Sequence, residues 1–291
     1  MLKGRLGLET ARVPYVDRHG MLWLRRGQLY VESGTLRFGG PEVEWAAGDY
    51  AIPFQMVTCI LLGPGSSITH DALRLCARHG TGVMAVGEDG VRHYASMPFG
   101  PDDSALARRQ VRHWSHPDRK VEVARRMYAL RFGEILPVRD LNALRGIEGS
   151  RVKTMYRRLA ERYGIPWEGR DYDRANPERN DVPNQAMNHS STAVEAAAAV
   201  AVAACGAIPQ LGFIHEDSGL SFVLDVADLY RAEITVPAAF AAAKRVLAGE
   251  GELERVARQE TGRLLKERKV IPEMIDRIKE LLRDDDGGGD P

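Results

Sequence analysis

The residues with the clearest chemical potential lie between positions 211 and 230. His215 ends an apolar segment, and Asp225 and Asp228 interrupt the next apolar run. If that run is helical, the aspartates at i and i+3 share one face, where their like charges repel. A cation normally resolves such a conflict, and here it is either Arg231 or a bound metal. Carboxylate oxygens with one imidazole suit Mg²⁺ or Mn²⁺ better than Zn²⁺.

The same three residues also allow a purely structural interpretation. A histidine beside an apolar segment is often a hydrogen-bonded core residue, and aspartates often cap helices or face solvent. The spacing alone therefore leaves two hypotheses open, a metal site and a structural cluster.

A further carboxylate, Glu148, is flanked by Gly146 and Gly149 near the expected start of a helix. Two glycines allow another backbone or a ligand to approach closely. A glutamate in a first helical turn is also commonly stabilised by the helix dipole alone. Taken by itself, this pattern favours neither interpretation.

Charge is unevenly distributed along a chain whose formal net charge is zero. Residues 101–170 contain 16 Lys+Arg against 9 Asp+Glu, whereas residues 171–291 contain 14 against 22. A basic middle can attract phosphates while an acidic part keeps carboxylates nearby. Solvated helix faces would give the same counts, so the asymmetry suggests a polyanionic partner without proving one.

Composition excludes several classes of protein. With 291 residues and 44% hydrophobic residues, the chain is typical of a globular protein of two domains. The longest nearly apolar run, residues 193–205, is shorter than the roughly 20 residues of a membrane span, and the N-terminus lacks a signal-peptide pattern. Scattered Cys59, Cys76 and Cys205 form neither a disulfide framework nor a zinc cluster, which predicts a cytoplasmic location.

The elements that position these residues divide the chain into two parts. Residues 1–98 predict a β-rich domain with one helix. Within it, the runs at 21–24 and 28–32 suggest a hairpin that turns at residues 25–27. Thr69 is the expected N-cap of the helix, which Gly80 ends.

Residues 99–283 predict a larger all-α catalytic domain, because apolar residues recur at helical spacing almost throughout. Residues 194–205 predict an alanine-rich helix that neighbours can approach on every side. The fold class is therefore α+β. An acidic, glycine-rich tail at residues 284–291 is expected to be disordered.

Several stretches resemble, in the same order, the motifs of the CRISPR adaptation integrase, the catalytic subunit that inserts new spacers into CRISPR arrays. Glu148 lies in a stretch similar to the family's glutamate-bearing helix, and His215 and Asp228 lie in stretches similar to its histidine and aspartate motifs. The likeness covers about residues 15–240. The stretches that carry it are residues 144–152, 212–215 and 220–228, and the features that resemble the type I-E subtype are residues 131–134, Trp167, Gly169, Arg170, Tyr172 and Asp173.

The resemblance implies a reaction and a set of site residues. Glu148, His215 and Asp228 match the ligands of a divalent metal, Mg²⁺ or Mn²⁺, and Asp225 matches the second aspartate of the catalytic group. The implied chemistry joins a protospacer 3′-hydroxyl to the CRISPR repeat by transesterification. The residues that match DNA contacts are Arg74, Arg92, Arg119, Arg170, Tyr172 and Arg231.

The resemblance also implies partners. A homodimer of this chain is expected to act with a small dimeric partner subunit, with no membrane involved. The expected DNA partners are double-stranded protospacer DNA with single-stranded 3′ ends and CRISPR leader-repeat DNA. Relatives of the subtype present an aromatic wedge before a Gly-Gln pair, whereas here Arg26 precedes Gly27, so Trp23 and Tyr30 are the alternative aromatics.

Two other functions stay open from the sequence. A metal-dependent nuclease acting on branched or single-stranded DNA would use the same residues with water as the nucleophile. A non-catalytic DNA-binding scaffold would not need Glu148, His215 and Asp228 together.

Overall fold

The computed structural model describes residues 20–43, 46–96, 104–134, 136–138, 140–171 and 180–283. The chain forms two compact units. The first contains the described residues up to Val86 and resumes at Tyr94; the second contains Gly87–His93 and the described residues from Ala105 onward. The first unit is rich in strands and the second is mostly helical, which confirms the predicted α+β fold class. The predicted boundary at residue 98 and the predicted tail lie outside the described residues.

Two four-stranded sheets form the first unit. The strands of the first sheet, in spatial order, are β1 (Met21–Leu24), β5 (Cys59–Leu62), β7 (Gly82–Val86) and β8 (His93–Ser96). β5 is parallel to both β1 and β7, with Met21 opposite Cys59 and Cys59 opposite Gly82. The second sheet, in spatial order, consists of β4 (Ala46–Ala51), β3 (Thr35–Val43), β2 (Gln28–Glu32) and β6 (Ser67–Ile68).

The predicted hairpin between β1 and β2 is wrong, because these strands belong to different sheets. Arg26 has a left-handed backbone, with φ of 56°, and its N–H donates to the carbonyl of Pro64. β2 instead pairs antiparallel with β3. Ser33 and Gly34 join them, and both have positive φ, which matches the right-handed twist of paired strands.

The helix of the first unit, α1 (His70–His79), has the predicted caps. The Thr69 side chain accepts a hydrogen bond from the N–H of Ala72, and Gly80 ends the helix with a left-handed backbone. Ala72 and Cys76 face the apolar core between the helix and the sheets. Local sequence therefore sets both ends of this element.

The second unit contains the remaining long helices, and no helix in the described part of the chain is both long and apolar enough to cross a membrane. A π-helical turn, Arg231–Thr235, joins the sixth helix to the seventh. The helices are α2 (Ala105–Ser115), α3 (Pro117–Phe132), α4 (Leu141–Tyr163), α5 (Val182–Cys205), α6 (Ser221–Asp228), α7 (Val236–Leu247), α8 (Leu253–Glu267) and α9 (Val270–Leu281).

The central helix of this unit is α5, which packs against α6, α7, α8 and α9. It begins earlier than residue 194, because the Asp181 side chain caps it by accepting from the N–H of Asn184. Its small alanines allow the surrounding helices to approach closely, so most of its surface is buried. A helix that is apolar on every side is expected in the middle of a bundle.

The short segment Gly87–His93 packs with α8 in the second unit. Arg92 Nη2 donates to Glu254 Oε1 at 3.0 Å. At Gly262 of α8, an added Cβ would lie 2.9 Å from the Asp89 Cβ, so this contact requires a glycine.

Candidate functional site

Asp225 on α6 is completely buried and organises the loop that precedes this helix. Its Oδ2 accepts from the backbone N–H groups of Phe213, at 2.5 Å, and Ile214, at 3.0 Å. Its Oδ1 accepts from the N–H of His215 at 2.9 Å and lies 2.7 Å from the Nδ1 of the same residue. Both carboxylate oxygens are therefore occupied, which makes Asp225 a positioning residue in this structure.

The contact with Asp225 orients the ring of His215. When Nδ1–H donates to a carboxylate, Nε2 is left as the acceptor, which is how histidine ligands of metals are commonly held. The His215 side chain is 38% exposed, so a ligand can reach it. The hydrogen bond to Asp225 raises the pKa of His215 against the opposing effect of burial, and the charges of Asp228 and Glu148 raise it further.

Two other contacts fix the loop that carries His215. An added Cβ at Gly212 would clash with the carbonyl oxygen of His215 and would lie 2.7 Å from the Ser221 Cβ, so only glycine fits. Arg145 of α4 donates to the carbonyl of Ile214 at 2.5 Å. The histidine is thus held by α4 and α6 together.

Glu148 lies inside α4, not in its first turn, because the helix begins at Leu141. The alternative that Glu148 is a first-turn acid stabilised by the helix dipole is therefore wrong. Its Oε2 accepts from the Tyr128 hydroxyl at 2.8 Å, and its Oε1 accepts from Arg131 Nη1 at 2.6 Å. Both partners come from α3. Burial and the nearby Glu148 charge raise the pKa of Tyr128, which keeps its hydroxyl a donor.

Asp228 at the end of α6 is paired with arginines. Its Oδ1 accepts from Nε of Arg231 at 3.1 Å and also from Nη2 of the same residue, and its Oδ2 lies 3.7 Å from Arg131 Nη1. Burial opposes ionisation, but Arg231 and Arg131 lower the pKa of Asp228 below its ordinary value. Arg231 also donates to the Tyr156 hydroxyl at 3.0 Å. Arg231, one of the two cations that the sequence predicted, therefore neutralises Asp228 in this structure, and a bound metal stays a prediction.

The glycines that flank Glu148 lie beside open space. An added Cβ at Gly146 or Gly149 would meet nothing within 4 Å in the part of the chain that the structure describes. The alternative that these glycines admit another backbone is therefore wrong for the part of the chain that the structure describes. Approach of a ligand along this side of α4 stays a prediction.

Three side chains with an influence on this site, Tyr128, Arg131 and Glu195, were not predicted from the sequence as site residues. Glu195 lies on α5, and burial together with the Asp228 charge raises its pKa, while Arg231 and His215 lower it. None of the three is close in sequence to the residues that it affects. Only the charge of Glu195 within an alanine run was a local signal.

The fit of a divalent metal can be judged from this arrangement. Within the described residues, no three histidine, cysteine or carboxylate side chains are grouped as a ready coordination cluster. The donor chemistry nevertheless fits Mg²⁺ or Mn²⁺, because Glu148 and Asp228 supply carboxylates and His215 supplies an oriented imidazole. One guanidinium nitrogen, from Arg131, contacts both carboxylates, so a cationic group already lies between them.

The predicted DNA contacts differ in their surroundings. Arg119 is exposed at the start of α3, and Arg74 is 70% exposed in a pair with Asp71. Exposed pairs of this kind are weak and can exchange for a phosphate. Tyr172 lies outside the described residues. Arg92 is paired with Glu254, Arg231 with Asp228, and Arg170 donates to Asn184 at 3.0 Å and to Asn188 at 2.5 Å.

Known proteins with this fold place the chain in a class. The solved structure of the TtCas1–DNA complex matches with a TM-score of 0.82 and 35% identity, covering 92% of this chain and 97% of that one. A casposase bound to an integration product shares the fold at a TM-score of 0.63 and 15% identity, covering 91% of this chain and 96% of that one. Relatives from Escherichia coli and Thermus thermophilus are both named CRISPR-associated endonucleases. The predicted enzyme class, an endonuclease, is confirmed by these relatives.

The family follows from sequence similarity over most of the chain. The Escherichia coli relative is 36% identical over 271 residues, which are 93% of this chain and 87% of the relative. The Thermus thermophilus relative is 37% identical over 258 residues, which are 88% and 78% of the two chains. The profile of the family CRISPR associated protein Cas1 matches residues 15–136 and 131–270. The chain belongs to this family, and the predicted resemblance is confirmed.

Proposed function

We propose that this chain is a metal-dependent DNA integrase of CRISPR adaptation. The observation that supports this most is that Glu148 of α4 and Asp228 of α6 share the Arg131 guanidinium and that both of their charges act on His215. The His215 ring is in turn held by the buried Asp225. A structural cluster would not need a histidine with one nitrogen fixed and its side chain still accessible. Family membership gives this geometry its substrate class, DNA.

The proposed reaction is a transesterification. The 3′-oxygen of a protospacer strand forms a bond to a phosphorus atom of the CRISPR repeat, and the bond from that phosphorus to the neighbouring 3′-oxygen breaks. The attacking hydroxyl loses its proton and the leaving oxygen takes one up. Because one P–O bond forms and one breaks, the number of phosphodiester bonds is unchanged and no energy-rich co-substrate is needed. Both ends of the protospacer react in this way, at the leader side and the spacer side of the repeat.

The residues of this chain have separate tasks in the proposal. Glu148, His215 and Asp228 would hold Mg²⁺ or Mn²⁺, which supplies Lewis acidity to the attacking hydroxyl and to the phosphoryl oxygens. Asp225 keeps the His215 ring in one orientation. Glu148 and Asp228 are only partly exposed, which strengthens their charge interactions with a bound cation relative to those in bulk water.

The proposed partners follow from the same chemistry. A partly duplex protospacer lies along the basic residues, with Arg74, Arg92, Arg119, Arg170, Tyr172 and Arg231 as the proposed contacts. Contacts to phosphate give affinity without sequence readout and weaken as salt rises. The proposed assembly is a homodimer with a small dimeric partner subunit. Because its substrates are cellular DNA, we place it in the cytoplasm.

A second candidate function is hydrolysis, which is favoured by the endonuclease names of the curated relatives. In that case water replaces the 3′-hydroxyl as the nucleophile at the same site. The two reactions differ in their products, because integration joins strands and hydrolysis only cuts them.

The test is a joining assay. Purified protein and its partner subunit are mixed with labelled protospacer and a supercoiled plasmid that carries a leader and a repeat. Label joined to plasmid with Mg²⁺ or Mn²⁺, and lost in His215→Ala, is the expected result. The matched control is His70→Ala, since His70 is exposed on α1 of the strand-rich unit.

The joining assay has three other possible outcomes. Metal-dependent cutting without joining would favour the nuclease. Tight DNA binding with neither reaction would leave a scaffold and contradict the proposal. Joining that survives in His215→Ala would place the reaction elsewhere in the molecule.

A further inference from the structure

Arg131 is the least exposed cation of the site, with only 5% of its side chain accessible. A single nitrogen, Nη1, lies 2.6 Å from Glu148 Oε1 and 3.7 Å from Asp228 Oδ2. An arginine in this position neutralises two carboxylates that would otherwise repel each other in a buried place.

Two aromatic rings of α3, the helix that also carries Arg131, contact the Arg131 guanidinium. It lies over the rings of Tyr128, at 5.9 Å, and Phe132, at 5.6 Å. These rings are parallel to each other, with centroids 6.1 Å apart. Tyr128 also donates to the other oxygen of Glu148, so the arginine and the glutamate share one rigid support on α3.

The carboxylates that Arg131 contacts are two of the three proposed metal ligands. A divalent cation bound by Glu148 and Asp228 would need the oxygens that now face Nη1. Its charge would also repel the guanidinium across a short distance with little water between them. The two cations therefore compete for one position.

We propose that Arg131 occupies the cation position of the site in the metal-free chain and that metal binding exchanges this guanidinium for the divalent ion. This inference rests on the proposed metal dependence. Without metal, the guanidinium pairs with both Glu148 and Asp228. It thereby connects α3, which carries Arg131, to α4 and α6. With metal, the ion replaces one positive charge by two, and the displaced guanidinium becomes free to pair with a DNA phosphate.

The inference predicts that removing Arg131 strengthens metal binding. Because the arginine occupies the site in the free protein, it lowers the apparent affinity for the metal. In Arg131→Met, which keeps a long side chain without charge, we expect Mn²⁺ to bind about 10-fold more tightly by calorimetry. Arg131→Lys keeps a cation and is expected to remain close to the unmodified chain.

The matched control is Arg151→Met. Arg151 also lies over the Phe132 ring, at 5.1 Å, but it pairs with Glu134 and not with a carboxylate of the site. Its replacement removes an arginine–aromatic contact without freeing the proposed ligands. We therefore expect the Mn²⁺ affinity of this variant to equal that of the unmodified chain.

Thermal unfolding gives a second measurement that does not depend on activity. Arg131→Met leaves two carboxylates without this cation, so its midpoint should fall without metal and rise more steeply with Mn²⁺ than that of the unmodified chain. In the unmodified chain, the NMR signal of the Arg131 side-chain N–H, identified by its loss in Arg131→Lys, should shift when Mg²⁺ saturates the site. The NMR measurement needs only Arg131→Lys, a variant that keeps the positive charge.

Each contrary result has a distinct meaning. If Mn²⁺ binds the unmodified chain but binds Arg131→Met equally or more weakly, Arg131 positions the ligands and the exchange is wrong. An Arg131 signal unchanged at saturating Mg²⁺ would contradict it in the same way. If no variant binds metal, the metal dependence in the proposed function is wrong as well, and both proposals fail.

Discussion

Asp225 and Asp228 lie three residues apart on one short helix, yet the protein neutralises them in different ways. Asp225 is completely buried and accepts from three backbone N–H groups and contacts one histidine nitrogen. Asp228 faces two arginines instead. Backbone donors cannot leave without unfolding the loop, whereas side-chain cations can be replaced by another cation. Asp225 therefore has partners that stay in place as long as the loop is folded, whereas Asp228 has partners that another cation can replace.

The largest expected effect is that of Asp225→Ala on stability. Three backbone N–H groups would lose their acceptor inside the protein, and each such loss costs about 1–3 kcal/mol. We expect the free energy of unfolding, measured by urea denaturation, to fall by about 4 kcal/mol. Joining activity should also be lost, since His215 would no longer be oriented. An unfolding free energy equal to that of the unmodified chain would mean that other groups satisfy the loop.

Asp228→Asn should show the opposite balance between activity and stability. The amide has the same size and still accepts from Arg231, so we expect only about 1 kcal/mol of lost stability. Loss of a charged ligand should reduce joining about 100-fold in a single-turnover assay. If Asp225→Ala and Asp228→Asn lost similar amounts of stability, the proposed difference between a structural Asp225 and a replaceable pairing at Asp228 would be wrong.

Two histidines of the second unit extend the comparison to pH. Hydrogen bonding to Asp225 raises the pKa of His215, whereas burial lowers the pKa of His189 below its ordinary value of 6.5. Burial also lowers the pKa of His93. A histidine with a lowered pKa in the folded state stabilises the fold above about pH 6.5 and loses that contribution as the pH falls.

We therefore expect His189→Gln to lose less stability than the unmodified chain between pH 7.5 and pH 5.5. The difference cannot exceed about 1.4 kcal/mol, because pH 5.5 lies only one unit below the ordinary histidine pKa of 6.5. Urea denaturation at the two pH values measures it, and His93 is present in both proteins. A steeper acid loss in the variant would show that His189 is protonated and paired in the fold.

The smallest expected effect concerns an exposed cation, in contrast to the buried ones of the site. Arg119→Ala should weaken protospacer binding a few-fold and reduce the slope of log affinity against log salt by about 1. Because Arg119 is proposed to contact phosphate, the loss should be the same for unrelated DNA sequences. Titrations of two sequences at three salt concentrations test this, and a sequence-dependent loss would contradict backbone contact.

Features encoded by neighbouring residues were predictable from the sequence. The caps of α1 at Thr69 and Gly80 are set by short-range hydrogen bonding and by the left-handed backbone that glycine adopts freely. The pairing of Asp228 with Arg231 likewise follows from an i,i+3 spacing. Local rules therefore gave both ends of α1 and one ion pair of the site.

Features that depend on tertiary contact were not predictable in this way. The hairpin prediction failed because Arg26 takes a left-handed backbone whose N–H is satisfied by Pro64, about forty residues away. Arg131 and Glu195 were not predicted for the same reason. Arg131 contacts Asp228, and the Asp228 charge raises the pKa of Glu195, only because the fold brings their helices together. The roles of Asp225 and Asp228 also differ through such contacts and not through their spacing.

The π-helical turn Arg231–Thr235 limits how the length of this segment can vary. A π-helical turn contains one residue more than an α-helical turn. The orientation of α7 relative to α6 therefore depends on the number of residues in this connection. Deleting one residue there would rotate α7 by about 100° relative to α6. The face that includes Ala239 and Ala243, which packs with Ala186 of α5, would then point elsewhere. An exposed position of this segment, such as Glu233, should therefore tolerate substitution, whereas an insertion or a deletion in the segment should not be tolerated.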